Sequence, residues 1–307
     1  MDLKNENIET KTNIENITPT ENIIKHLVLS GGGVVGFSFY GLLRETNKRG
    51  LWDISNIETI YGTSVGSIIS IFIALKYEWD TLDDFIIKRP WQNVYKLSVD
   101  SFLYAFHNKG ILDKKIMEHT FSPLFKGKDI DINVTMKEFY EITNIEMHIM
   151  TVDINTYDLV DISYKTHPDW IVIDAVYCSC CLPILFQPII KDNMCFCDGG
   201  FMANYPVKQC IENGAKPNEI FGMCRSSIFD SSSNINDKST LFDYILNILY
   251  KTISKILNKN EGQQIYKEAI VNCPPLSIYD IYETASSMEK RLELIQKGSE
   301  YLYKIIS

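Results

Sequence analysis

A serine lies between two glycines where the sequence pattern changes from strand to helix. The motif Gly62-Thr63-Ser64-Val65-Gly66 follows a short apolar run, Ile57–Tyr61, and opens a longer one, Val65–Lys76. On a sharp turn of this kind the serine hydroxyl is exposed at a helix N-terminus, and the glycines leave room for a substrate. The same motif is also compatible with a serine that only caps the N-terminus of the helix. The strand–turn–helix context favours a nucleophile at Ser64.

A run of glycines occupies the preceding junction between a strand, Lys25–Ser30, and a helix, Gly36–Lys48. Its letters are Gly31-Gly32-Gly33-Val34-Val35-Gly36. Consecutive backbone N–H groups in such a loop can converge on the oxyanion of an acyl-transfer reaction. The letters also fit the dinucleotide-binding pattern G-x-G-x-x-G, which needs an acidic residue at the end of the second strand. That strand ends at Tyr61 and continues into the serine motif, which disfavours dinucleotide binding.

An aspartate follows another predicted strand. Asp198-Gly199-Gly200 comes directly after the apolar residues Cys195–Cys197, so the carboxylate can project from a strand end into a site. By itself the motif also fits an ordinary Asp-Gly hairpin turn. A serine hydroxyl needs a base, and a carboxylate with a pKa of about 4 is a weak base unless burial raises that pKa. We therefore expect Asp198 to be desolvated.

The five histidines all precede Asp198 in the sequence. A Ser–acid–His order would require Asp153 or Asp161 together with His167, and it would leave the Asp-Gly-Gly motif without a role. A dyad of Ser64 and Asp198 uses all three motifs. We expect the dyad, with the triad as its alternative.

Composition narrows the class of protein. The chain has 307 residues, a net charge of -9 and no concentration of Lys and Arg, which argues against nucleic acid as a partner. The eight cysteines lack zinc-knuckle spacing and are predicted to be reduced thiols in the core, with neither metal nor cofactor. No secretory signal and no apolar run of about 18 residues is predicted. We expect an intracellular protein, cytoplasmic or peripheral to a membrane.

Strands and helices alternate along the chain, which predicts an α/β fold with a mostly parallel sheet covered on both faces. Residues 1–22 are predicted to be a disordered polar leader, and 23–307 a single domain. Within that domain the motifs span 25–224, a lid loop spans 225–240, and two helices, Leu241–Leu257 and Thr284–Ile306, lie in 241–307. Further predicted strands are Met147–Asp153, Leu159–Tyr164, Cys195–Cys197 and Glu219–Cys224; Tyr95–Phe125 is predicted to be helical in pieces.

Four motifs in this order resemble the patatin-like phospholipase family. Three are the motifs above; the fourth, residues 175–188, reads Ala-Val-Tyr-Cys-Ser-Cys-Cys-Leu-Pro-Ile-Leu-Phe-Gln-Pro and is similar to the family's A-x-x-x-S-x-x-x-P-x-x-F-x-P. The resemblance extends from about Lys25 to Cys224. One position departs from the family, since Val35 stands where many members carry Lys or Arg.

The resemblance implies a three-layer α/β/α fold and a catalytic dyad that needs no cofactor. Ser64 would attack an acyl ester of a phospholipid, lysolipid or neutral lipid, and Asp198 would accept its proton. The implied oxyanion hole is formed by the loop of Gly31, Gly32, Gly33, Val34 and Gly36. The implied supporting residues are Gly62, Gly66, Gly199 and Gly200.

Two other functions fit the same residues. One is a general esterase or thioesterase with the same dyad, and the other is a catalytically silent binding protein with the same fold. The helix Leu241–Leu257 is amphipathic, so it can pack on its own protein or make transient contact with a membrane surface. The sequence indicates neither the lipid head group nor an activating host partner.

Overall fold

The computed structural model describes residues 23–95, 105–226, 235–237, 239–257, 265, 267–272 and 277–301. The predicted leader, 1–22, lies outside these residues, as do positions 227–234 and 238 of the predicted lid loop. Arg225, the first residue assigned to that loop, instead ends a strand. The division of the chain into domains remains a prediction.

Among the described residues the strands form a central sheet of eight and a small sheet of two. The strands are β1 (His26–Leu29), β2 (Thr59–Thr63), β3 (Gly110–Leu112), β4 (Glu146–Asp153), β5 (Asp158–Ile162), β6 (Ile184–Phe186), β7 (Ile190–Lys191), β8 (Met194–Asp198), β9 (Ile220–Arg225) and β10 (Lys267–Val271). The large sheet runs β10-β9-β1-β2-β4-β8-β7, with β5 also paired to β4, and β3 pairs with β6. The pairs from β10 to β4 are parallel, whereas β5, β7 and β8 join antiparallel. The predicted mostly parallel sheet is confirmed.

Apolar side chains of the strands alternate between the two faces of the sheet. Leu27 and Leu29 enter the larger apolar cluster, and Val28 enters a smaller cluster with Ala203 and Val207. Both faces are therefore covered by helices, as the three-layer prediction requires. The helices are α1 (Val35–Lys48), α2 (Val65–Ala74), α3 (Trp79–Lys88), α4 (Lys115–Lys126), α5 (Met136–Thr143), α6 (Val172–Ser179), α7 (Gly200–Ala203), α8 (Val207–Glu212), α9 (Leu241–Leu257), α10 (Ile278–Ser286) and α11 (Met288–Glu300).

Most predicted elements are present. The six predicted strands appear as β1, β2, β4, β5, β8 and β9, and α9 has the predicted bounds. In the stretch predicted to be helical in pieces, α4 is a helix and β3 is a strand, whereas residues 96–104 lie outside the described part. The short strands β3, β6 and β7 and the edge strand β10 were not predicted, because runs of two to five residues carry little periodic signal.

The prediction of one continuous C-terminal helix over about Thr284–Ile306 is wrong. The structure has two helices there, α10 and α11, and residues 302–306 lie outside the described part. The break is at Ser287, whose backbone is extended (φ -108°, ψ 120°). Its hydroxyl accepts a hydrogen bond from the amide of Lys290 at 3.1 Å. Ser287 therefore caps a new helix instead of continuing the old one.

Candidate active site

The ends of β2 and β8 meet on one edge of β4. In the sheet register Thr63 lies opposite Met150, and Asp198 lies opposite the next residue, Thr151. The hairpin partner β5 pairs with β4 over the same residues, so it occupies the other edge. The residue after Thr63 is Ser64, and the register thus brings the predicted nucleophile and the predicted base to one place.

Ser64 has a strained backbone at the start of α2. Its φ of 53° and ψ of -125° form a combination that residues other than glycine rarely adopt. The amide of Ser64 donates a hydrogen bond to Oγ of Ser179 at 2.8 Å. Its carbonyl accepts from the amide of Ser67 at 2.9 Å and from the Ser67 hydroxyl at 2.6 Å. The conformation is therefore fixed from both sides of the residue.

Glycines surround this turn because other backbone segments approach it closely. A Cβ on Gly66 would lie 2.3 Å from the carbonyl oxygen of Leu29, and one on Gly62 would lie 2.7 Å from Cα of Ser67. A Cβ on Gly31 would lie 3.1 Å from Cβ of Ser64. The glycine-rich loop thus comes into direct contact with the serine, without room for side chains between them.

The amides of the glycine-rich loop divide into two groups. Gly31 donates to the carbonyl of Asn204 at 3.0 Å, and Gly36 donates to the carbonyl of Gly33 at 3.1 Å. In the part of the chain that the structure describes, the amides of Gly32, Gly33 and Val34 donate to no protein group. Of the five loop residues named above, these three have amides that remain available to a ligand anion.

Asp198 is buried, with 6% of its surface exposed. Burial raises its pKa to about 6, while the Gly200 amide and the nearby Ser64 side chain oppose that rise. The Gly200 amide lies 2.7 Å from Oδ1 of Asp198. A Cβ on Gly199 would lie 2.2 Å from the carbonyl oxygen of Met150, so the loop after Asp198 packs directly on β4. The expected desolvation of the carboxyl is confirmed.

Three residues at this site were not identified as site residues from the sequence. The Ser179 hydroxyl accepts a hydrogen bond from the Ser64 amide, and the Asn204 carbonyl accepts one from the Gly31 amide. The Cys180 thiol is near Ser64 and Ser67; burial and the charge of Asp198 raise its pKa, so it stays neutral. The serine of the fourth motif was the one available signal, because Ser179 occupies that position.

The histidines lie elsewhere. His167 bonds to Oγ1 of Thr166, and Asp161 bonds to His148 with Oδ2 2.8 Å from Nδ1. The carboxylate of Asp153 accepts from the backbone amide of Cys195. None of the five histidines, all within the described residues, hydrogen-bonds to Ser64. The structure therefore does not assemble the alternative triad.

The thiols form no metal cluster in the part of the chain that the structure describes. Seven of the eight cysteines lie there. Five of them are buried, and four of these lie in the apolar clusters, as predicted: Cys178, Cys180, Cys181 and Cys210.

A sequence model of the patatin-like phospholipase family matches residues 27–211. The chain belongs to this family. The matched range contains the glycine-rich loop, the serine motif and the Asp-Gly-Gly motif, so the family predicted from those residues is confirmed.

Relatives of this patatin-like chain include two viral proteins. An uncharacterized protein of Acanthamoeba polyphaga mimivirus, R571, is 27% identical over 304 residues, which is 95% of each chain. A probable lipid hydrolase of Invertebrate iridescent virus 6, 463L, is 30% identical over 64% of this chain and 66% of its own length. Among solved structures, VipD of Legionella pneumophila has a TM-score of 0.56 at 14% identity, covering 92% of this chain and 66% of VipD. That likeness supports the fold.

One helix beside the site has an exposed apolar face. Leu241, Tyr244 and Ile248 of α9 are 74%, 51% and 48% exposed. On the opposite side of α9, Leu246 is buried, and the helix packs against α7, which follows the Asp-Gly-Gly loop. No helix among the described residues is both long and apolar enough to cross a bilayer.

The Asp198→Asn variant should be more stable than the wild type above pH 6. The pKa of Asp198 is about 6 in the folded chain and about 4 in the unfolded chain, so the folded state binds more protons between these values. Stability therefore falls as the pH rises from about 4 to about 6, by up to about 3 kcal/mol, and asparagine avoids this cost. Denaturant unfolding at pH 5 and pH 8 should show the larger gain at pH 8. Asp158→Asn, an exposed carboxylate, is the control, and an equal gain at both pH values contradicts the prediction.

Proposed function

We propose that this chain is a lipid acyl hydrolase that cleaves carboxylic ester bonds of phospholipids or lysolipids through Ser64 and Asp198. The observation that carries the proposal is that Ser64 and the buried Asp198 carboxylate lie together at the ends of β2 and β8, beside three unengaged loop amides. Membership of the patatin-like phospholipase family and the relative named a probable lipid hydrolase support lipid esters as the substrate class.

The proposed reaction begins when Asp198 takes the proton of the Ser64 hydroxyl as its oxygen attacks the ester carbonyl. The carbonyl oxygen becomes an oxyanion, which the amides of Gly32, Gly33 and Val34 and the N-terminus of α2 stabilise. Collapse of this intermediate breaks the ester bond, and protonated Asp198 returns its proton to the leaving alcohol. Asp198 then takes a proton from water, whose oxygen attacks the acyl-serine. The fatty acid leaves, and Ser64 regains its proton.

A carboxylate can replace histidine as the base because of its surroundings. With a pKa of about 6, Asp198 is largely ionised at pH 7 and is a stronger base than an ordinary aspartate. The neutral Cys180 thiol beside Ser64 does not compete as a nucleophile, because the thiolate is the reactive form. Burial of the carboxyl thus supports this pairing of nucleophile and base.

Removal of either dyad residue should abolish activity. Ser64→Ala and Asp198→Ala should each lower phospholipid acyl release by about a thousandfold or more, because the two side chains act as one unit. His167→Ala should retain the wild-type rate, and so should Ser70→Ala, which removes a buried hydroxyl further along α2.

Acyl release from long-chain phospholipid is compared with release from a short-chain ester, and active serine is titrated with a fluorophosphonate. If the His167→Ala variant is folded but inactive, the proposed dyad is wrong and the triad with His167 takes its place. A wild type that prefers the short ester identifies a general esterase. A wild type that releases nothing and resists the fluorophosphonate identifies a binding protein.

The pH dependence of the rate should have an acid limb with an apparent pKa of about 6. Below that value Asp198 is protonated in the folded chain and cannot accept the Ser64 proton, so kcat/KM falls tenfold per pH unit. Measurements of kcat/KM from pH 4.5 to 8.5, with circular dichroism to confirm folding at each pH, test this. A rate that stays constant down to pH 4.5 would exclude Asp198 as the base.

We further propose that the exposed face of α9 contacts the lipid surface from which the substrate is taken. An apolar face next to the site shortens the path from a bilayer to Ser64, and its aliphatic and tyrosine side chains suit the interface of a membrane. The other side of α9 packs against α7, the helix that follows Asp198, so docking of the exposed face leaves the site close to the membrane.

Charges on this face should weaken the enzyme only when the substrate is in a membrane. Leu241→Glu with Ile248→Glu should lower the hydrolysis of phospholipid in vesicles by about tenfold or more, because buried charge opposes insertion. The same variant should hydrolyse a soluble short-chain ester at the wild-type rate. Ile142→Glu, on α5, alters an equally exposed residue elsewhere and is the matched control. Equal loss on both substrates would argue against a membrane role of α9.

A further inference from the structure

Ser179 ends α6 and is completely buried. Its hydroxyl accepts a hydrogen bond from the amide of Ser64 at 2.8 Å and donates one to the carbonyl of Met150 at 2.6 Å. Its own carbonyl accepts from the amide of Gly199 at 3.3 Å. One residue thus contacts the nucleophile, the strand β4 and the residue that follows the base.

These three contacts join the parts of the site that come from distant segments. Met150 is the register partner of the residue before Ser64, and Gly199 comes directly after Asp198. Two residues beyond Ser179, the carbonyl of Cys181 accepts the amide of Asp198 at 3.0 Å. The end of α6 is therefore bonded to the backbone of both dyad residues.

The contact with Ser64 acts on a strained residue. A positive φ at a serine persists only when the surroundings determine it, and the Ser64 amide is the group whose direction changes if φ relaxes. The bond to Ser179 Oγ fixes that direction. It also uses the Ser64 amide, so this amide does not serve the oxyanion, and the loop amides remain the donors.

We propose that Ser179 is a positioning residue that sets the placement of the Ser64 hydroxyl relative to the Asp198 carboxylate, an inference that rests on the proposed hydrolase function. A hydroxyl is suited to this place because it accepts one hydrogen bond and donates another at the same time. Alanine would leave the Ser64 amide and the Met150 carbonyl without their partner in a buried site. The serine turn would then relax without any change to the groups that react.

The experiment compares Ser179→Ala with Ser38→Ala and the wild type. Ser38 is a matched control because it is also buried and its hydroxyl also donates to a backbone carbonyl, that of Leu294, at 2.9 Å. Steady-state hydrolysis of a lysophospholipid gives kcat and KM, and thermal unfolding shows the loss of stability in each variant. Hydrogen exchange of the Ser64 amide, followed by NMR or mass spectrometry, measures the contact directly.

For Ser179→Ala we expect kcat to fall by about ten- to a hundredfold, KM to change less than twofold, and fluorophosphonate labelling to slow in parallel. The acid limb of the pH profile should move to higher pH, because the Ser64 side chain, which opposes protonation of Asp198, is displaced from the carboxylate. The Ser64 amide should exchange at least tenfold faster. Ser38→Ala should show none of these changes even if it unfolds at a lower temperature.

An unchanged kcat, or an unchanged exchange rate of the Ser64 amide, would overturn the proposal. A fall in kcat with the acid limb and the exchange rate unmoved would also overturn it, because general destabilisation then explains the loss. A wild type that is inactive on every ester would instead refute the hydrolase function. In that case, faster exchange in Ser179→Ala still supports the positioning of Ser64, and unchanged exchange still excludes it.

Discussion

The site depends on a constraint in the sheet: two strands end head to head along one edge of β4. β2 runs parallel to β4 and reaches Thr63 opposite Met150, and β8 runs antiparallel and reaches Asp198 opposite Thr151. Neither chain can continue along the edge, because the other occupies the next position. Both must leave the sheet there, one into the serine turn and the other into the Asp-Gly-Gly loop. The glycines are required where the two departing segments meet their neighbours.

The same crowding determines the electrostatics. A carboxyl enclosed by packed strands and loops loses most of its contact with water, and this raises its proton affinity. The nearby thiol of Cys180 is affected by the same burial, which suppresses its ionisation. One environment thus strengthens the proposed base and keeps the neighbouring sulfur unreactive. The proposed chemistry follows from exclusion of solvent as much as from the identity of the side chains.

The sequence predicted those features whose cause is local. The glycines of the loops are required by close backbone approaches, so they are visible as motifs, and the aspartate was visible because it follows an apolar strand. The alternating apolar strands predicted the sheet. The contacts of Ser179 and Asn204 could not be predicted, because they depend on which distant segments the register brings together. The hydrogen bond of the Gly31 amide to Asn204 could not be predicted for the same reason. The break at Ser287 was missed because its cause is a side-chain cap within an otherwise helical pattern.

The hydrogen bond between Ser64 and Ser179 joins residues 115 positions apart in the chain. Contacts of such long range form late in folding, since much of the chain must be ordered before they are gained. The serine turn lies near the beginning of the family-matched region, and its partners in α6 and β8 are synthesised much later. A ribosome-bound chain that ends before Ser179 therefore carries the serine turn with neither its hydrogen-bond partner in α6 nor its proposed base. Hydrolytic competence would then appear only when the second half of the sheet has assembled, so that an unfinished chain does not attack the lipids of the cell that makes it.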